Sequence, residues 1–151
     1  MRVSRGVTAV LAVLLLALGV GVVVACGGED TATPEDVYQQ FEAAQEAEDM
    51  ETIESLLASS VRWTIDGSKV GMPDLAFGGK TQVCETIESG FAEEGTRTIE
   101  SVDVSGDVVN VSSTWTPEGG TMTLTHTEQY TVEDGLITNW HVIREEITET
   151  S

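Results

Sequence analysis

From Thr121 to Val132 the chain alternates strictly. Thr121, Thr123, Thr125, Thr127, Gln129 and Thr131 take one side of an extended strand, and Met122, Leu124, His126, Glu128, Tyr130 and Val132 take the other. Strand side chains repeat every two residues, so a helix over this stretch would scatter its apolar residues around the cylinder. The same period predicts strands over 97–105, 108–116 and 136–143. The breaks between them, Gly106-Asp107, Pro117-Glu118-Gly119-Gly120 and Asp134-Gly135, carry the residues of hairpin turns. An antiparallel sheet follows, with its threonine side expected toward water and the Met122-to-Val132 side toward a core.

Helical spacing precedes the sheet. Thr33-Pro34-Glu35-Asp36 supplies a capping hydroxyl, a proline at the first helical position and early carboxylates that suit the positive end of the helix dipole. Val37, Phe41 and Ala44 then predict a helix from Pro34 to about Glu48. Asp49 caps a shorter one, with Ile53, Leu56 and Leu57 as its buried stripe. Val61, Trp63 and Ile65 alternate as a short strand before the turn Asp66-Gly67-Ser68. Residues 69–79, with three glycines and Pro73, predict a loop, and Val83, Cys84, Ile87 and Phe91 share one side of a third helix from Lys80 to about Ala92. Amphipathic helices followed by a sheet with one apolar face give an α+β domain, and sheet twist curls it into a concavity.

Arg2 and Arg5 precede an uncharged stretch from Val7 to Ala25, long for a secretory apolar region and close to the roughly 20 residues that span a bilayer. Val23-Val24-Ala25-Cys26, followed by Gly27-Gly28, resembles the bacterial lipobox, which implies that Cys26 is lipidated and becomes the new N-terminus. The expected organisation is a lipoprotein-type signal peptide over 1–25, a tether over 26–33, the domain over 34–146 and a disordered tail over 147–151. The protein would then be exported and held at the bacterial envelope, outside the cytoplasm, with the membrane as partner through Cys26. An uncleaved N-terminal membrane helix is the alternative, with the domain on the same side. Cys84 reads as a small buried apolar residue, and two cysteines offer neither a disulfide framework nor a thiolate cage.

Seven Lys and Arg face 26 Asp and Glu, a formal charge of −19. Arg2 and Arg5 belong to the leader, so five cations remain against all 26 acids, or −21. Such a surface repels phosphate backbones and excludes nucleic acid as a partner class.

The order of elements, the Asp49-to-Trp63 stretch (D-x-x-x-I-x-x-L-L, then V-x-W), Gly78-Gly79-Lys80 opening the third helix, and Glu133-Asp134-Gly135-Leu136-Ile137 followed by Trp140 resemble the SnoaL-like branch of the nuclear transport factor 2 superfamily. The resemblance covers most of Pro34 to Glu145. It implies a cone-shaped α+β barrel, three N-terminal helices packed on a curved antiparallel sheet around a pocket, with a homodimer through the outer sheet face as one arrangement.

That fold hosts isomerases, cyclases, epoxide hydrolases, ligand binders and interaction modules, so the site must decide. A ketosteroid-isomerase-like member needs a tyrosine, an aspartate base and a protonated acid, and these positions fall on Phe41, Ile65 and Glu128. A one-residue slip would bring Asp66 to the base position, but it would invert the facing of the strand. An Asp-Arg-Asp epoxide-hydrolase set falls on Ser113, Trp115 and Val142. The register implied by the resemblance points Ser113 and Trp115, His126 and Glu128, and Trp140, Val142 and Arg144 into the concavity, with Phe41 and Trp63 facing them.

His126 and Glu128, two apart on one face, could hydrogen-bond to each other or to Arg144, as a candidate acid-base pair or as a satisfied polar cluster. His141 is expected to face outward beside Asn139. Two histidines on different faces offer no metal site, and no phosphate loop, nucleophile elbow or other cofactor motif occurs. Three readings follow. The preferred one is a non-catalytic, lipid-anchored domain that binds a small apolar ligand or a partner protein. The others are an isomerase or cyclase using His126 and Glu128, and a structural accessory domain with a filled core.

Overall fold

The computed structural model describes residues 32–149, so the expected leader, the lipobox at Cys26 and the tether as far as residue 31 lie outside the described residues, as do residues 150–151. Helix α1 (Pro34–Glu46) begins with Thr33 Oγ1 accepting from the Asp36 backbone N–H while the Asp36 carboxylate accepts from the Thr33 N–H, a reciprocal cap. Asp49 caps α2 (Met50–Leu56) by accepting from the Thr52 backbone N–H and from Thr52 Oγ1. Leu57, expected on the buried stripe of that helix, is the first residue of strand β1 (Leu57–Asp66), which follows with no loop.

After a single 3₁₀ turn (Ser68–Val70) comes β2 (Leu75–Gly78), where the sequence predicts only loop. It pairs antiparallel with β1, setting Phe77 opposite Trp63 and Leu75 opposite Ile65. Gly67 permits the bend before it, because a Cβ there would stand 2.8 Å from the Met72 backbone oxygen. Helix α3 (Lys80–Gly90) leads to β3 (Gly95–Ser105), β4 (Val108–Pro117), β5 (Met122–Glu133) and β6 (Leu136–Glu149). The β5–β6 turn uses Asp134 and Gly135 at φ 51° and 75°, the left-handed pair that a two-residue hairpin requires.

The strands form one six-stranded sheet in the order β2-β1-β6-β5-β4-β3. The expected α+β fold of three helices on a curved sheet is present, but the sheet is mixed and unclosed rather than antiparallel throughout: β1 runs parallel to β6, with Trp63 beside Trp140 and Ile65 beside Val142. β6 continues through residues 147–149, where the sequence suggests a tail; Leu124 pairs with Ile147 and Met122 with Glu149.

The concave face packs on all three helices. Val37, Phe41, Ile53, Val83 and Ile87 meet Val61, Val111, Tyr130, Ile137 and Trp140 in one buried cluster. On β5, Glu128, Tyr130 and Val132 are buried, as the alternation requires. The threonine row is half-buried on the opposite face, where Thr123 pairs with Thr116 at 2.8 Å and Gln129 donates to Asn110 at 3.0 Å. No helix among the described residues is long and apolar enough to cross a membrane.

Phe41 is fully buried against the rings of Tyr130 and Trp140, whereas Met122, at the free end of the same sheet face, is 48% exposed. Phe41→Ala is expected to cost about 3–5 kcal/mol, and Met122→Ala less than about 0.5 kcal/mol, in urea unfolding of the two variants. Equal losses would contradict the placement of the core.

Candidate functional site

The helices cover only part of the concave face. Between the C-terminal ends of α1 and α3 and the open end of the sheet lies a half-open cavity of about 1030 Å³. A volume of that order accommodates a small organic molecule. Seven of the nine expected pocket residues line it: Trp63 on β1, Trp115 on β4, His126 and Glu128 on β5, and Trp140, Val142 and Arg144 on β6. Phe41 and Ser113 do not. Both are fully buried, Phe41 behind Trp140 and Ser113 behind Glu128.

The aromatic wall is built by register. The β1–β6 pairing sets Trp63 and Trp140 side by side, and their rings stack at 4.2 Å between centroids with planes 3° apart. Phe77, brought by β2, extends the row at 5.2 Å from Trp63. A bulge at Glu145, which places His126 opposite Arg144, bends β6 near the cavity. The space is therefore open rather than filled by tryptophan.

Glu128 is 3% exposed and every acceptor position on it is used. Oε1 accepts from Arg97 Nη2 at 2.7 Å and Ser113 Oγ at 2.8 Å; Oε2 accepts from Tyr130 Oη at 2.7 Å and Trp140 Nε1 at 3.1 Å. A carboxylate has about four lone-pair sites, and all four are occupied. Burial pushes its pKa up, but the Arg97 charge and the bonds from Tyr130, Arg97 and Ser113 outweigh it and hold the carboxyl below the usual range. Glu128 is an anion locked into the wall, the opposite of a protonated acid ready to donate.

Arg97 and Glu42 complete the cluster, and sequence reasoning missed both. Arg97 starts on an exposed edge strand, yet its side chain is only 29% exposed because the guanidinium reaches inward to bridge Glu128 and Glu42 of α1. Burial raises the Glu42 pKa more than Arg97 lowers it, with Glu128 adding repulsion. Two carboxylates thus share one guanidinium, and Glu42 is the one nearer protonation. The signal in the sequence is faint: Arg97 has the parity of Ile99, but a bulge after Ile99 shifts Val102 and Val104, masking the common face.

The proposed His126–Glu128 pair does not form. Nε2 of His126 is buried without a partner, and burial, its largest influence, holds the imidazole pKa below the ordinary value, so the ring is neutral near pH 7. Arg144 does not reach Glu128 either; its Nη1 lies 3.3 Å from Met72 Sδ. Ile65 points inward beside Val142, while Asp66 caps its own turn by accepting from Ser68 N–H and Oγ. The aspartate that ends β1 is thus engaged in its own turn and is not among the residues lining the cavity. His141 pairs with Thr64 at 2.7 Å, half-buried between β1 and β6. Cys84 is a half-buried free thiol whose pKa burial raises. Among the described residues no group of three or more His, Cys, Asp and Glu is arranged to hold a metal ion.

Residues 38–140 match the SnoaL-like domain family. No curated protein matches the chain. Among solved structures, a ketosteroid-isomerase candidate from Kribbella flavida DSM 17836 superposes with a TM-score of 0.64 at 18% identity, over 81% of this chain and 84% of that one. An NTF2-like protein of unknown function from Mesorhizobium loti gives 0.66 at 14% identity, over 80% and 97%. An LEH-like epoxide hydrolase from M. tuberculosis gives 0.53 at 18% identity, over 72% and 79%. At such identities the likeness shows a shared NTF2-like fold, three helices on a curved sheet, and leaves the chemistry to the site.

Arg97→Met is expected to cost about 3–5 kcal/mol, since it strips the partner from two buried carboxylates. The loss should depend on pH. In the parent, Glu128 contributes stability above the unfolded glutamate pKa that fades as pH falls through its depressed folded value; Glu42, raised, contributes below the unfolded value and loses that contribution as pH rises through its folded value. Without Arg97 both carboxyls titrate high, so the deficit in urea unfolding should be larger near pH ~8 than near pH ~5. Equal deficits would show that the cluster is not electrostatically coupled.

Proposed function

The chain belongs to the SnoaL-like domain family, and from that premise we propose that it is an extracytoplasmic, lipid-anchored binding protein whose cavity takes a small apolar molecule without transforming it. One observation carries the proposal: an open cavity walled by stacked tryptophans, in which the acid positioned like a family catalytic group is saturated by four fixed donors.

General acid-base work requires a group that exchanges a proton with a ligand at low cost. Glu128 would first have to release Arg97, Ser113, Tyr130 or Trp140, and the neutral His126 beside it has no acid or base to hand its proton to. Flat aromatic faces with few free polar groups favour holding an apolar body over reacting with it. The envelope location rests on the leader and on Val23-Val24-Ala25-Cys26. The acidic coat of the domain suits an exposed aqueous setting.

Titration of the full chain with the neutral fluorophore N-phenyl-1-naphthylamine is expected to saturate at one site. Leu124→Trp, which places an indole in the space beside Trp115, should weaken it by about tenfold or more. Absence of saturable binding, or unchanged affinity in that variant, would sink the cavity proposal. Separately, Cys26→Ser should leave an uncleaved precursor without acyl mass; an unaltered mass and membrane release in that variant would remove the lipid anchor.

A further inference from the structure

We propose that the cavity selects molecules bearing a carboxylate or a similar planar oxyanion, which Arg144 and His126 hold while the tryptophan wall holds an apolar body. This deepens the binding function proposed above and rests on it.

Among the described residues, four buried side-chain polar atoms lack any partner: Tyr38 Oη, Trp63 Nε1, His126 Nε2 and Arg144 Nε. Three of the four belong to residues lining this cavity. Indole and guanidinium nitrogens only donate, so two of the three unmet groups need an acceptor, and Nε2 of a neutral imidazole donates in one of its tautomers. Buried donors are ordinarily satisfied, and a cluster of unsatisfied ones around an open space marks where an acceptor belongs.

Arg144 is the strongest of them. Its charge is half-buried, no carboxylate lies within ion-pair distance among the described residues, and its one polar contact is the weakly accepting Met72 sulfur. Among the described residues Arg62 and Lys80 also lack an ion pair, but of these three cations Arg144 alone lines the cavity. The adjacent Glu145 is taken by Lys69 at 2.8 Å, and Glu128 and Glu42 are both committed to Arg97. His126 sits opposite Arg144 in the β5–β6 register, so the two side chains present donors from neighbouring strands toward the same space.

A guanidinium fork matches the two oxygens of a carboxylate, and the imidazole N–H adds a third donor from the side. A cationic ligand finds no uncommitted carboxylate on the inner wall, because Glu42 and Glu128 both hold Arg97. The exposed Glu46, Glu48 and Glu93 at the mouth slow the approach of an anion, but their field is screened over about 8 Å at physiological salt.

The test uses the full chain in phosphatidylcholine nanodiscs, with empty discs as blank, and calorimetric titration with 2-naphthoate, its neutral isostere 2-naphthamide and 2-naphthylmethylammonium. The wild-type chain is expected to bind the carboxylate about tenfold more tightly than the amide, and the ammonium most weakly. Arg144→Gln should bring the carboxylate to the level of the amide, with a cooperative urea transition of the variant showing that the domain still folds. Arg144→Lys, which keeps the charge without the fork, should keep part of the preference. Amide binding with no preference for the carboxylate, or a preference that survives Arg144→Gln, overturns the anion site while leaving the apolar cavity standing. Failure of all three probes to bind overturns both.

Discussion

The carboxylate of Glu128 ties together most of what the sheet has to hold in place. Its four donors come from β3, β4, β5 and β6, and through Arg97 it also reaches Glu42 on α1. An ionised carboxyl buried to 3% exposure would be strongly destabilising alone. It persists because each oxygen receives two bonds, one of them charge-assisted. The geometry that satisfies Glu128 also fixes the Trp140 ring that stacks on Trp63, so the electrostatic requirement and the shape of the aromatic wall are one constraint.

Curvature comes from irregularities rather than from a smooth twist. β3 carries an extra residue between Ile99 and Ser101, and β6 carries one at Thr138 and one at Glu145. Each bulge bends its strand and raises the local twist, which carries the sheet away from the helices at one end and leaves the cavity uncovered. The β3 bulge falls on an edge strand, beside Glu100 and Asp103, where charge and a broken ladder both discourage pairing with another chain. The bent edge also lets Arg97 turn inward from an otherwise exposed strand.

What was legible in the sequence is what local chemistry controls. The capping residues Thr33 and Asp49, the Asp134-Gly135 turn and the inward row through Glu128, Tyr130 and Val132 all stand where spacing placed them. What was hidden depends on distant pairing. Nothing local says that Val61, Trp63 and Ile65 lie parallel to β6, and hairpin turns suggest an antiparallel sheet throughout. β2 was obscured because Leu75, Ala76 and Phe77 sit between Pro73 and two glycines, yet an edge strand tolerates such flanks. Residues 147–149 looked like a tail because Glu145 and Glu146 interrupt the alternation, and one extra residue at the bulge restores it. At the site, spacing allows His126 and Glu128 to bond to each other or to Arg144, but residues two apart on a strand stand about 7 Å apart, and closer donors take the carboxylate.

A polar residue at a family catalytic position can do one of two things, and the number of its partners decides between them. A catalytic acid must keep at least one site free and hold a pKa near the working pH, which burial without compensation achieves. Glu128 has compensation in excess, which drives its pKa the other way and removes the free site. The same strand then leaves His126 without an acid, and β6 leaves Arg144 without a counter-charge. These are the polar groups that the proposed ligand would satisfy, set at the edge of an apolar wall. A fold shared with proteins named as an isomerase candidate and an epoxide hydrolase is compatible with either outcome. In this chain the Glu128 and Arg97 charges are spent on holding the wall together, and the proposed binding role rests on that hydrogen-bond accounting.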